Sequence, residues 1–310
     1  MLITPITHEI LSRSVVAVPP LARNADFSLN RAANKTLIEH LQAGGVKNIM
    51  YGGNANFYNL GVGDYAETID MLSEFAANDT WILPSAGPEY GRLMDEATIL
   101  KQRDFPTAMI LPMTFPYTSD GLATGIRRFT DRLGKPAVIY IKADRYIRPE
   151  TLASLVEEGR VAAIKYAAVH ADPVKDAYLT ELTQRIDKRL IVSGIGERPA
   201  IVHLRDFGLT SFTSGSVCVA PRGSMEILRL LKAQRYEEAE QIRARYMPLE
   251  DCRDEISPIR VLHDAVSLAG IADMGPMLPL LTGLSADERN RVQPVAKALF
   301  DADKALQETV

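Results

Sequence analysis

The sequence is short of cysteine, of long apolar runs and of any excess of charge, and each shortage removes a class of protein. Only two cysteines occur, Cys218 and Cys252, far apart and in no metal-binding or redox spacing, so a reducing compartment is the expected setting. No apolar stretch approaches the roughly 20 residues of a membrane helix. The run over residues 15–18 is stopped by Pro19 and Pro20, and no basic segment precedes it as in a signal peptide. The expectation is a cytoplasmic, soluble protein with no membrane partner. Lys and Arg number 35 against 39 Asp and Glu, a net charge of −4 with a pI near 5.8, which gives no basic face for a nucleic acid. The five histidines, His8, His40, His170, His203 and His263, form no i,i+4 pair, so no metal site is expected. Gly-x-Ser-x-Gly and P-loop patterns are missing, and no strand candidate is followed by Gly-x-Gly-x-x-Gly.

What is present is an alternation. Short apolar runs, rich in β-branched residues, recur at 14–21, 46–53, 80–87, 107–114, 136–143, 161–168, 189–196 and 209–216. Each is followed by a stretch with helical periodicity, as where Leu37, Ile38 and Leu41 share one face ahead of the Gly44-Gly45 stop. Near-continuous apolar strands are what parallel strands covered on both faces look like. Eight such units in about 220 residues fit a closed barrel better than an open sheet. The expected class is α/β, a (β/α)8 TIM barrel over 1–234. Residues 235–310 change to helices only, read as three over 235–255, 257–270 and 285–306, packed on the barrel or on a neighbouring subunit.

Active sites of such barrels lie at the C-terminal ends of the strands. There Lys165 stands in an otherwise apolar run, VAAIKYAAV, sharing a face with Ala163 and Ala167. Burial lowers a lysine pKa and makes the amine nucleophilic toward a carbonyl. The plain alternative is a lysine at the mouth with its head in solvent. Tyr140, which shares a face with Lys142, is either a proton relay or a core aromatic. YGGNANFYN, over 51–59, holds two glycines and three amides, suited to cradling a carboxylate on backbone N–H groups or simply to making a turn.

Together these residues resemble the dihydrodipicolinate synthase and N-acetylneuraminate lyase family of class I aldolases, over roughly 14–300. SVVAVPPL is similar to the family's opening strand, and YGGNANFYNL stands at its Gly-Thr-Thr-Gly-Glu loop. VIYIKADR and AAIKYAA are the most specific part, with Tyr140 and Lys165 spaced like the strand-five tyrosine and the imine-forming strand-six lysine. SGIGE, over 193–197, looks like the loop after strand seven. The resemblance implies catalytic roles for Lys165 and Tyr140 and substrate contacts at Gly53, Asn54, Arg145 and Gly194. It implies a 2-oxo acid substrate, such as pyruvate or a 2-oxo-3-deoxy sugar acid, no metal or other cofactor, and a homotetramer.

The departures bear on the substrate. Gly53 and Asn54 replace the family's threonine pair, and Asn56 replaces its glutamate. Met113 and Thr114 stand where the lysine-biosynthesis members carry paired tyrosines, with Tyr117 nearby but out of register. Condensation of pyruvate with a semialdehyde is therefore not expected. Two other readings stay open at this point: an altered family member that binds an oxo acid as a sensor, and a phosphate-binding barrel using the SGIGE and TSGS loops.

Overall fold

Strands this short and apolar expose no polar face, so they are stable only when covered on both sides, and the chain covers them with helices. The structure, a computed structural model, describes residues 1–307. Helix α1 (His8–Ser12) leads into β1 (Val16–Ala17), and α2 (Arg31–Ala43) follows. The next units are β2 (Asn48–Tyr51) with α3 (Val62–Phe75), β3 (Trp81–Ala86) with α4 (Tyr90–Lys101), and β4 (Met109–Ile110) with α5 (Ser119–Leu133). Then come β5 (Ala137–Ile141) with α6 (Pro149–Glu157) and β6 (Val161–Tyr166) with α7 (Ala177–Arg185). Strands β7 (Ile191–Ser193) and β8 (Thr213–Ser214), with α8 (Ala200–Arg205) and α9 (Pro221–Lys232), complete the ring.

The hydrogen-bonded order is β7-β6-β5-β4-β3-β2-β1-β8, with every pairing parallel. Ser193 bridges Phe212 in parallel, and Gly196 N donates to Thr213 O at 3.0 Å, which joins β7 to the last strand run. The sheet is thus a (β/α)8 barrel. All eight strands fall inside the apolar runs read from the sequence. Their residues are buried throughout except Ala162 and Tyr140, and Tyr140 is open for a reason: a cavity lies against it.

The C-terminal extension is helical, with four helices rather than three: α10 (Tyr236–Arg243), α11 (Met247–Glu255), α12 (Pro258–Leu268) and α13 (Ala286–Gln307). The stretch read as one helix over 235–255 divides at 244–246. Pro248 has no N–H for the carbonyl four residues back, and its ring would strike that carbonyl, so it sits instead in the first turn of a new helix. The wholly buried Tyr246 fixes that start by donating its hydroxyl to Ala220 O at 2.6 Å. Further on, buried Asp303 accepts Gly223 N at 2.7 Å and ties α13 to α9. Residues 308–310 of the C-terminal region lie outside the described residues. Among those described, no helix is long and apolar enough to cross a membrane. The anchoring at Tyr246 matters for the site, because it holds α11 over the mouth of the barrel.

Candidate active site

Parallel pairing of β5 with β6 sets Tyr140 opposite Lys165. Lys165 is only 6% exposed, so its head is not in solvent. Ala163 and Ala167, on the same face, are also buried and take little room. The amine lies 4.3 Å from the centroid of the Tyr140 ring, which therefore presents its π face to it. Both residues line a cavity of about 280 Å³ at the C-terminal ends of the strands, sized for a small ligand. Gly53, Asn54 and Gly194 line it as well, so five of the six expected site residues meet in one place, with Lys142 beside them.

Burial governs the electrostatics. It lowers the Lys165 pKa to about 7, with the charges of Lys142 and Arg253 pushing the same way. A sizeable share of the amine is then free near neutral pH, where a solvated lysine is almost wholly protonated. The ring contact favours the ammonium but is worth only about 0.5–2 kcal/mol, too little to restore the ordinary value. Burial also raises the Tyr140 phenol to about 12, opposed by Arg253, so it keeps its proton. Lys142 is lowered by burial and sits 5.9 Å from the Tyr58 ring centroid.

Two loops shape the walls. Asn54 donates Nδ2 to Val18 O at 2.8 Å, tying the loop after β2 to the end of β1. Asn56 is a turn residue, buried, at φ 57°, the left-handed region that asparagine tolerates, and its Oδ1 accepts Asn59 Nδ2 at 2.8 Å. Gly194 brings the loop after β7 against β6, its N–H donating to Tyr166 O at 2.6 Å. A Cβ there would stand 2.6 Å from that same oxygen, so only glycine permits the approach.

The sixth residue is elsewhere. Arg145 lies outside the cavity lining, its side chain 61% exposed and 3.5 Å from Glu181. Met113 and Tyr117 line a separate apolar groove of about 730 Å³ that shares only Tyr140 with the lysine cavity. Tyr117 packs there on Tyr146, ring centroids 5.0 Å apart. Sequence reasoning missed Glu250 and Arg253 of α11, which also line the cavity and pair at 2.7 Å. PLEDCRDE reads as an ordinary solvated helix, and nothing local signals that it roofs the barrel. Behind them Glu197 is buried, accepts Ser224 Oγ at 2.6 Å, and is pushed above the usual carboxylate range by burial and then by the charge of Glu250.

Among the described residues no three His, Cys, Asp or Glu side chains are placed to hold a metal ion. The chain belongs to the dihydrodipicolinate synthetase family, whose family model matches residues 12–299. Its fold is similar to dihydrodipicolinate synthase from Bacillus clausii, at 19% identity over 93% of this chain and 98% of that one, with a TM-score of 0.82. It is also similar to the 4-hydroxy-tetrahydrodipicolinate synthase of the methanotroph Methylacidiphilum fumariolicum SolV, at 15% identity over 95% and 98%, TM-score 0.82. A sialic acid aldolase of Ruminococcus gnavus superposes at TM-score 0.81 with 13% identity over 94% and 99%.

A buried amine that titrates this low costs stability, and the cost has a sign. The folded pKa, about 7, lies below the ordinary lysine value of 10.5, so the penalty is absent above pH 10.5. It grows as pH falls toward 7 and is constant below. Lys165→Met is therefore expected to be more stable than the wild type at pH 7, by an amount that shrinks at pH 9. The change between the two pH values should be a few kcal/mol, at about 1.4 kcal/mol per unit, read by urea unfolding. A gap independent of pH would show that the amine is not depressed.

Proposed function

We propose that this member of the dihydrodipicolinate synthetase family is a Schiff-base-forming lyase, an aldolase or dehydratase, acting on a 2-oxo acid such as pyruvate or a 2-oxo-3-deoxy sugar acid. The observation that carries the proposal is the amine of Lys165, buried and lowered to about 7, in a cavity it shares with Tyr140. Its free form attacks the C2 carbonyl carbon and gives a carbinolamine, which loses water to leave a protonated imine. The imine withdraws electrons from C3, so loss of a C3 proton, or cleavage of the C3–C4 bond with release of an aldehyde, yields the enamine. From a 3-deoxy acid, the same enamine expels a hydroxyl from C4 as water. After cleavage the enamine takes a proton at C3 to become the imine again, and hydrolysis of the imine releases the oxo acid and returns the amine. No metal or cofactor enters the scheme, because the imine is itself the electron sink.

Tyr140 keeps its proton at neutral pH and stands against the amine, a position suited to protonating the departing carbinolamine hydroxyl. Gly53, Asn54 and Gly194 wall the substrate, and Lys142, which also lines the cavity, is a cation available to its distal half. Arg145 would have to leave Glu181 to take part. The phosphate reading is disfavoured by two carboxylates, Glu197 and Glu250, directly behind the loops after β7 and β8. A Cβ on Gly196 would stand 3.1 Å from Glu250 Oε2. A homotetramer remains the proposed assembly; Tyr90 and Tyr117 expose apolar surface on the groove beside Tyr140, with Phe115 in the same loop. A cytoplasmic, soluble enzyme is proposed as its setting.

Pyruvate with sodium borohydride is expected to inactivate the protein and leave a reduced adduct on the peptide carrying Lys165, with none in Lys165→Ala. An adduct on Lys142 instead, or none with any of a panel of 2-oxo acids, would sink the mechanism. A sensor would be trapped at Lys165 yet turn over no member of the panel. Tyr140→Phe keeps the ring beneath the amine and removes the phenolic proton. Its turnover should fall roughly 10²–10⁴-fold, with thermal stability nearly unchanged; full activity would reduce Tyr140 to a wall of the pocket.

A further inference from the structure

Arg253 carries donors that no group fills among the described residues. It enters the cavity from α11 with its side chain 12% exposed. Glu250 takes one N–H, Nη1 to Oε1 at 2.7 Å. Nε is buried and, among the described residues, has no hydrogen-bond partner. A guanidinium has five N–H donors in a planar fork and keeps its charge under all ordinary conditions. Glu250 is itself held by the Ser216 hydroxyl, so the fork is braced on one edge and open on the other.

Other polar groups converge on the open edge. A Cβ on Gly215 would stand 3.1 Å from both Arg253 Nη2 and Asn54 Nδ2, so these two donors lie within twice that distance of each other. Leu262 Cδ2 would stand 2.8 Å from the same Cβ, so only glycine lets the two donors and this side chain come together here. Thr213, two residues earlier and also in the cavity wall, has a buried hydroxyl with no hydrogen-bond partner among the described residues. Empty buried donors cost free energy, and an anion with two oxygens satisfies this set at once.

We infer that Arg253 reads the C1 carboxylate of the 2-oxo acid, gripping it between its fork, the Thr213 hydroxyl and the Asn54 edge of the loop after β2. The inference rests on the Schiff-base reading above, which puts the adjacent C2 at Lys165. Arg253 is near enough to that amine for its charge to be felt there, as a residue reading the neighbouring carbon must be. Arg145, solvent-exposed and outside the cavity, stands apart from this group.

The test compares pyruvate with neutral pyruvamide, which presents the same ketone without the charge. In the full-length protein, the concentration giving half-maximal borohydride trapping at Lys165 is measured for both. Because both react with one amine, their ratio isolates the carboxylate from any change in the amine. The double variant Arg253→Gln/Glu250→Gln removes both charges, so neither is left buried and unpaired. It is expected to raise the half-maximal concentration for pyruvate roughly 10- to 100-fold and leave that for pyruvamide within a few-fold. Arg253→Lys, which keeps a cation but loses the fork, carries the same test if the double variant does not fold, and should raise the pyruvate value about 10-fold. An unchanged ratio in whichever variant folds overturns the role of Arg253. Trapping of pyruvamide but not pyruvate in the variants supports it. No trapping of either compound by the wild type would instead strike the Schiff-base reading, and this inference with it.

Discussion

Everything in the site follows from the cost of keeping a charged amine away from water. Lys165 sits on a strand whose other side chains are Val, Ala, Ile and Tyr, and barrel closure removes the solvent that would support an ammonium. The answer is a weaker hold on the proton, with the pKa lowered to about 7. Neighbouring positive charge, from Lys142 and Arg253, adds to the same tendency. The small residues on either side of Lys165 have a second effect: they leave room beside the amine instead of packing it shut. A lowered amine pKa and an open space beside the amine thus come from one arrangement.

The barrel alone does not complete that arrangement. Helix α11 lies outside the β/α repeat, yet it supplies Glu250 and Arg253 to the cavity, and its position depends on Tyr246 binding the Ala220 carbonyl just before α9. The carboxylates behind the mouth, Glu197 and Glu250, keep the local field from becoming wholly positive. They share their surroundings unequally: Glu250 is paired with Arg253, whereas Glu197 has only hydroxyl partners and is pushed up. The result is a cavity with one buried amine of lowered pKa, one phenol that holds its proton and one braced guanidinium.

The barrel was legible because its signals are local and repeated. Eight apolar runs separated by amphipathic stretches leave few other folds, and the alternation within VAAIKYAA already puts Lys165 beside Ala163 and Ala167. Tyr140 was found the same way, through strand register and the resemblance. Arg145 was carried over by its match to a family position, but side-chain direction in a loop depends on the loop's own backbone, here at φ 52°, and Glu181 draws the guanidinium outward. Arg253 was missed for the opposite reason. A charged residue on a charged helix gives no sign of which face is roofed by the barrel until the helix is docked.

The central claim is that Lys165 is a neutral amine near physiological pH because it is buried. The most direct measurement is the pH dependence of its modification, in the unliganded full-length protein, by a small neutral amine-directed reagent, followed at the Lys165 peptide by mass spectrometry. The account predicts a rate that reaches half its plateau near pH 7. A rate still climbing past pH 9, as for a solvated lysine with a pKa of about 10.4, would contradict it.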